Sequence, residues 1–261
     1  MLVCAARFSS RSLRLGRAAP PAAPAAAAAK RNLATISPPD PTVDFESFGF
    51  GLNVKTEWMW KQTWNAERGW DEGAVVPHGP LELEPSSTVI NYGQSIFEGM
   101  KAFRQPDGGV SLFRPEMNAA RMSAGAARFL LPEVPRDAFV RACDAVVAAN
   151  SHWVPPHKGG TLYMRPLLFG SGAALGVAPS PEATFCIFVS PVGNYFKGAP
   201  GERAPPISLQ VSERYRRAML GGSGGTKAAG NYAPTFMASK GAKAEGFNEV
   251  LFVDAATGEH I

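Results

Sequence analysis

The run Gly221-Gly222-Ser223-Gly224-Gly225-Thr226-Lys227-Ala228-Ala229-Gly230-Asn231-Tyr232 concentrates the chemistry of this chain. Five of the ten positions 221–230 are glycine, so the backbone can approach a ligand closely and take positive φ. One lysine stands inside the run, ahead of a helical stretch. A primary amine held in a bend away from carboxylates is suited to condense with an aldehyde. A flexible surface loop with a solvated lysine has the same composition and is the commoner case. The spacing is not that of a nucleotide phosphate loop, in which Ser or Thr directly follows the lysine. The histidines His78, His152, His157 and His260 show no ligand spacing, so no metal site is expected. Cys143 and Cys186 sit far apart in apolar settings and read as buried thiols; Cys4 lies near the start of the chain.

Rigid elements must hold that amine. Met100–Arg104 and Val110–Phe113 flank Pro106-Asp107-Gly108-Gly109, a hairpin signal. Residues 117–131 and 136–152 read as helices; in the second, Phe139, Cys143, Val146, Val147 and Asn150 recur at helical spacing. Thr161–Phe169 and Phe185–Val189 read as strands, the latter apolar without alternation, and Ser190-Pro191 is expected to close it. Residues 36–80 read as loop-rich and aromatic, and 82–92 as mixed extended chain. After a Gly/Pro-rich stretch, Ile207, Leu209 and Val211 alternate with polar residues and open a strand. A helix over Pro234–Glu245 and a strand over Glu249–Asp254 follow, and Glu259-His260-Ile261 reads as the start of a return strand.

The expected organisation is an unstructured leader over 1–35, an N-terminal small α/β domain over 36–196, a linker over 197–206, and the start of a larger C-terminal cofactor-binding domain over 207–261. About 55 residues make a poor independent core, and a hairpin ending in its second arm leaves an open edge. The sequence therefore reads as the front two-thirds of a longer, truncated protein.

Four segments carry a family resemblance: Phe97-Glu98-Gly99-Met100-Lys101-Ala102-Phe103, Leu112-Phe113-Arg114-Pro115, Leu162-Tyr163-Met164-Arg165-Pro166 and Gly224-Gly225-Thr226-Lys227-Ala228-Ala229-Gly230-Asn231-Tyr232. In residue type, order and spacing they resemble branched-chain amino acid aminotransferases, from about residue 45 to the end. The resemblance implies the fold-type IV architecture of pyridoxal-phosphate enzymes, an α/β fold with mixed sheets in two domains, and a homodimer. It implies that Lys227 is catalytic, holding pyridoxal 5'-phosphate as a Schiff base and later carrying a proton between Cα and the cofactor. Arg121 would contact the cofactor phosphate, Tyr232 its phenolic oxygen, and Arg217 would be a cofactor-side neighbour. Tyr92, Phe97, Tyr163 and Arg165 would line the substrate side.

Taken alone, an arginine on a helix is usually solvated and such aromatics are usually core, so these roles come from the resemblance. The chemistry agrees with them. A guanidinium fork pairs with phosphate oxygens. Aromatic walls accept a branched aliphatic side chain, at about 0.8 kcal/mol per buried CH₂. Tyrosine hydroxyls and an arginine would meet the carboxylate of glutamate or 2-oxoglutarate.

The implied activity is ping-pong transamination of leucine, isoleucine and valine with 2-oxoglutarate, giving 2-oxo acids and L-glutamate. Amino-acid biosynthesis and breakdown are not distinguished. The resemblance also places beyond Ile261 a glutamate for the pyridine nitrogen, a phosphate-binding loop and a carboxylate-holding turn, so a chain ending there is expected to transaminate little. Two alternatives stand beside this. One is another fold-type IV enzyme, a D-amino acid aminotransferase or aminodeoxychorismate lyase, against which Phe97–Phe103 and Tyr163-Met164-Arg165 argue. The other is a truncated, non-catalytic homologue acting as an interaction protein.

Bulk properties narrow the remaining classes. With 45% apolar and 18% charged residues the composition is globular, and no run reaches the roughly 18 apolar residues of a membrane span. The net charge of +4 comes from six basic residues ahead of the first acid, Asp40; the other 20 basic residues face 22 acidic ones. A nucleic-acid partner is therefore not expected. The first 35 residues are rich in Arg, Ser and Ala and hold no acid, a transit-peptide composition. Arg31-Asn32-Leu33-Ala34 resembles a mitochondrial processing site, with a plastid as the alternative destination.

Overall fold

Apolar alternation along the strands, and apolar residues three and four apart along the helices, sort residues 36–193 into one large sheet with two helices on one face. The computed structural model describes residues 30–33, 36–193 and 206–261. Nearly all of the expected leader, and the expected linker apart from Pro206, lie outside the described residues.

The strands of the main sheet are β1 (Lys30–Asn32), β2 (Trp58–Asn65), β3 (Gly69–Trp70), β4 (Ala74–Pro77), β5 (Ser95–Phe97), β6 (Met100–Arg104), β7 (Val110–Phe113), β8 (Thr161–Gly170) and β9 (Glu182–Val192). Their order is β1-β7-β6-β8-β9-β2-β3, with β4 beside β2 and β5 beside β8. Every pairing is antiparallel. The helices are α1 (Thr88–Tyr92), α2 (Pro115–Phe129) and α3 (Arg136–Ala149). Ala119, Met122 and Ala126 of α2, and Phe139, Cys143, Val146 and Val147 of α3, meet Met100, Leu162, Met164, Phe185 and Ile187 in one core. Burial pushes the Cys143 and Cys186 thiols up, Cys186 to about 12.

The expected hairpin, both long helices and the β8 strand are present with shifts of a few residues at most. Four expectations need correction. Residues 58–65 form a strand within the stretch read as loop, because Trp58, Trp60, Thr63 and Trp64 favour a pleated, half-buried surface. Residues 88–92 are helical, closed by Gly93 at φ 64°, rather than extended. Strand β9 runs through Pro191. From Phe188 onward β9 pairs with β8 alone, since β2 reaches only Ile187, so a proline without an N–H breaks no ladder there. Finally, Lys30–Asn32 lie as a strand against β7, inside the stretch expected to be unstructured.

Residues 206–261 build a smaller unit. Strand β10 (Leu209–Ser212), helix α4 (Phe236–Ala244) and strand β11 (Glu249–Phe252) follow one another, and the two strands pair in parallel. The alternation in β10 is real but inverted: Leu209 and Val211 are exposed while Ser212 is buried. The expected return strand after the turn is not formed. Instead the Asp254 carboxylate accepts from the Thr257 N–H and hydroxyl and from the His260 and Glu259 N–H groups, which holds that carboxyl far below its ordinary pKa; it also accepts from the Ala256 N–H. One backbone bond, Asp254 N–H to His260 O at 2.7 Å, joins the two arms.

Candidate active site

Strand alternation sets the floor of the site. Along β8, Leu162, Met164, Pro166 and Leu168 are buried, while Tyr163, Arg165 and Leu167 point to the opposite, more open face. Phe97 of β5 pairs with Leu167 and so shares that face. Arg165 donates through Nε and Nη2 to the Tyr163 hydroxyl at 3.2 and 3.1 Å, and its Cζ stands 4.8 Å from the Phe97 ring centroid. Gly99 makes room for this arrangement, because a Cβ there would overlap the Tyr163 hydroxyl.

The lysine segment is attached to the same strand. The Phe97 N–H donates to Lys227 O at 3.0 Å, and Ile96 bridges Ala228. The Lys227 side chain then passes over Phe97, with Nζ 4.4 Å from that ring centroid and 5.2 Å from the Tyr232 centroid. Nζ donates to the Tyr232 hydroxyl at 3.0 Å, and the Phe97 and Tyr232 rings lie 4.9 Å apart.

Asn231 closes the glycine-rich bend. Its Nδ2 donates to Ser223 O and Thr226 O, both at 2.8 Å, and its Oδ1 accepts from Ser223 Oγ at 2.6 Å. Of the five glycines, only Gly221 takes positive φ, at 79°. At Gly224 a Cβ would overlap Ala218, so this residue is required for close packing.

Helix α2 forms the other wall. Asn118, Arg121 and Gly125 lie three and four residues apart and share one side of the helix. A Cβ at Gly125 would press on Ile96 and Thr226, so glycine lets the helix lie close to the lysine segment. Between these elements is a cavity of about 320 Å³ lined by Arg121, Gly125, Arg217, Gly224, Lys227 and Tyr232 among others, within the range of small-ligand pockets. No carboxylate lines it among the described residues. Arg217 donates to Gly224 O at 3.5 Å, with Cζ 5.9 Å from the Tyr232 ring centroid.

Six of the seven other residues singled out from sequence thus meet around Lys227: Arg121, Arg217 and Tyr232 at the cavity, and Phe97, Tyr163 and Arg165 beside it. Tyr92 does not join them. It is exposed at the end of α1, and its hydroxyl donates to Leu175 O.

Sequence reasoning assigned no role to Glu98, Asn118, Asn231 or Gly125. Glu98 carried a legible signal: a carboxylate between apolar strand residues must find partners or stay costly. It is 1% exposed, accepts from Arg121 Nε at 3.0 Å and Nη2 at 2.7 Å, and accepts from Asn118 Nδ2 at 2.8 Å. Hydrogen bonding to Glu98 raises the Arg121 pKa above its ordinary value.

An antiparallel sheet with α2 and α3 packed against it, and a lysine amine at a cavity lined by Arg121 and Arg217, form a mixed α/β scaffold with a cationic, amine-bearing site. The amino-transferase class IV family profile matches residues 95–258, and the chain belongs to that family. It is 48% identical over 212 residues to branched-chain amino acid aminotransferase 2, chloroplastic, of Humulus lupulus, covering 81% of this chain and 51% of that protein. It is 46% identical over 219 residues to branched-chain-amino-acid aminotransferase 1, mitochondrial, of Arabidopsis thaliana, covering 84% and 56%. In fold it resembles the solved branched-chain amino acid aminotransferase of Escherichia coli, which superposes with a TM-score of 0.61 at 24% identity, covering 77% of this chain and 60% of that one. The chain spans about half the length of the curated relatives it matches.

The residues present suit the family's cofactor, pyridoxal 5'-phosphate. A lysine amine is available for its aldehyde, a tyrosine hydroxyl lies beside that amine, and two guanidinium groups are available for its phosphate, with no carboxylate lining the cavity among the described residues.

Proposed function

We propose that this site transfers the amino group of branched-chain L-amino acids to 2-oxoglutarate, giving 2-oxo acids and L-glutamate. The observation that carries the reading is the placement of Lys227 Nζ, 3.0 Å from the Tyr232 hydroxyl and over the Phe97 ring, at a cavity lined by Arg121 and Arg217. Pyridoxal phosphate, when bound, supplies an aldehyde for the amine and a ring that takes up the electrons released at the substrate Cα.

The chain's own residues supply position and proton movement. Lys227 would hold the cofactor's aldehyde end, and its Nζ would serve as the base for the proton at the substrate Cα. Tyr232 orients that amine through its hydroxyl. Arg121 and Arg217, which line the cavity, would hold the anionic end of the cofactor. Arg165, braced by the Tyr163 hydroxyl, is the cation for a substrate carboxylate, and the Phe97 and Tyr163 rings form the apolar wall for a branched side chain.

The homodimer expected for the family and an organellar location belong to the same proposal. The basic, acid-free leader supports an organelle, and its Arg31-Asn32-Leu33-Ala34 segment favours the mitochondrion. The substrate assignment is tested by incubating the cofactor-loaded protein with L-leucine or D-alanine and 2-oxoglutarate. Any 2-oxo acid formed, however slowly, is expected to be 4-methyl-2-oxopentanoate from L-leucine and not pyruvate from D-alanine; the reverse preference would reassign the site to a D-amino acid enzyme.

A further inference from the structure

Among the described residues, Glu98 is the ionisable side chain near Lys227 that the proposed chemistry does not use, and it is almost completely buried. Its carboxylate is fully engaged: Oε1 accepts from Arg121 Nε, and Oε2 accepts from Arg121 Nη2 and Asn118 Nδ2. A guanidinium has five N–H groups. Glu98 takes two of them along the Nε–Nη2 edge, leaving both Nη1 protons and one Nη2 proton. The Arg121 side chain is 59% exposed and lines the cavity.

A neutral residue would tie the β5–β6 connection to α2 at lower cost, because burying a carboxylate is expensive unless its charge is matched. The tie also exists without Glu98: Asn118 donates to Gly99 O at 3.3 Å. What a carboxylate adds is a fixed plane for a charged fork that would otherwise turn freely in solvent.

We propose that Glu98 is a positioning residue: it grips the inner edge of the Arg121 guanidinium and so presents the outer edge to the phosphate end of the cofactor. The proposal rests on the reading of the cavity as the pyridoxal-phosphate site. It predicts a loss confined to the phosphate, since the aldehyde end is held by Lys227.

The test titrates the full 261-residue chain with pyridoxal phosphate and, separately, with phosphate-free pyridoxal, following Schiff-base absorbance and adduct at Lys227 after borohydride reduction. In Glu98→Gln, half-saturation by pyridoxal phosphate should rise about tenfold or more, as expected for a disturbed charge-assisted hydrogen bond. Half-saturation by pyridoxal should stay within about twofold, below the energy of one such bond. In an Arg121→Ala background the Glu98→Gln change should add nothing further to the phosphate preference.

Equal weakening toward both aldehydes would overturn the proposal in favour of a purely structural tie. Unchanged or tighter binding of pyridoxal phosphate would also overturn it, the latter marking Glu98 as a competitor for Arg121. If Glu98→Gln loses its cooperative melt, Asn118→Ala takes its place. That variant loosens the same carboxylate and must show a smaller loss of the same phosphate selectivity, and its absence would overturn the proposal. A wild-type chain that takes up neither aldehyde removes the functional reading and this inference together; a wild-type chain that binds, with a Glu98→Gln variant that keeps the ratio, removes this inference alone.

Discussion

Residues 36–193 and residues 206–261 are built on different principles, although the site needs both. The first region encloses a core in which Phe139, Val146, Leu162, Phe185 and Ile187 are completely buried. The second buries few apolar side chains, chiefly Ala228, Ala238 and Ala242, while Leu209, Val211, Leu220, Phe236 and Met237 stay exposed. The amine at the centre of the site belongs to the second region. Its position comes from the first, through the Phe97 N–H bond to Lys227 O and the Ile96–Ala228 bridge. The proposed covalent chemistry thus sits on a lightly packed segment that borrows its geometry from the large core beside it. Local stability is accordingly expected to be uneven along the chain.

Substitutions can break this contrast or sharpen it. Phe139 is completely buried, and its ring centroid lies 5.8 Å from that of Phe185, so Phe139→Ala should lower unfolding stability by about 3–5 kcal/mol in a urea titration. A much smaller loss would mean that the body is not the rigid partner. Gly125→Val crowds Ile96 and Thr226 at the junction of the two regions and should cost about 1–3 kcal/mol. Its sharper effect should be slower cofactor attachment at Lys227, measured by absorbance.

Asn231→Ala removes the bonds to Ser223 and Thr226, a local loss of about 0.5–1.5 kcal/mol per bond. Amide hydrogen exchange should accelerate over 221–232 while protection of β8 and β9 is unchanged. Acceleration throughout both regions would show that they unfold as one. Leu220 is fully exposed, so Leu220→Ser should stay within about 0.5 kcal/mol of the parent.

How legible each region was in the sequence follows the same division. Elements with a strong period, such as α3 with Phe139, Cys143, Val146 and Val147, could be read directly, and so could the hairpin around Pro106-Asp107-Gly108-Gly109. Strand β2 was hidden because Met59 and Gln62 are buried three positions apart, which is not the two-residue alternation of a regular strand. Pro191 looked like a strand end because its tolerance depends on which neighbour is missing, a property of the sheet and not of the chain. In β10 the period was visible but the buried side was not, since Leu209 and Val211 face outward.

At the site, Lys227, Tyr232, Arg121 and Arg217 were recognisable through motif resemblance, whereas the spacing of single residues would not have assembled them. Glu98 and Asn118 escaped because their meaning lies in a pairing between the β5–β6 connection and a helix about 20 residues away in sequence. Tyr92 was named by the same resemblance; its hydroxyl donates to Leu175 O, and it is not among the residues lining the Lys227 cavity.

Lys227 is the residue predicted to bond to the cofactor. Incubating the chain with pyridoxal phosphate, reducing with borohydride and mapping the digest by mass spectrometry tests this directly. A pyridoxyl group on the peptide carrying Lys227 is the predicted result. A map in which Lys227 is unmodified, with label only on lysines outside the cavity such as Lys240 or Lys243, would contradict it.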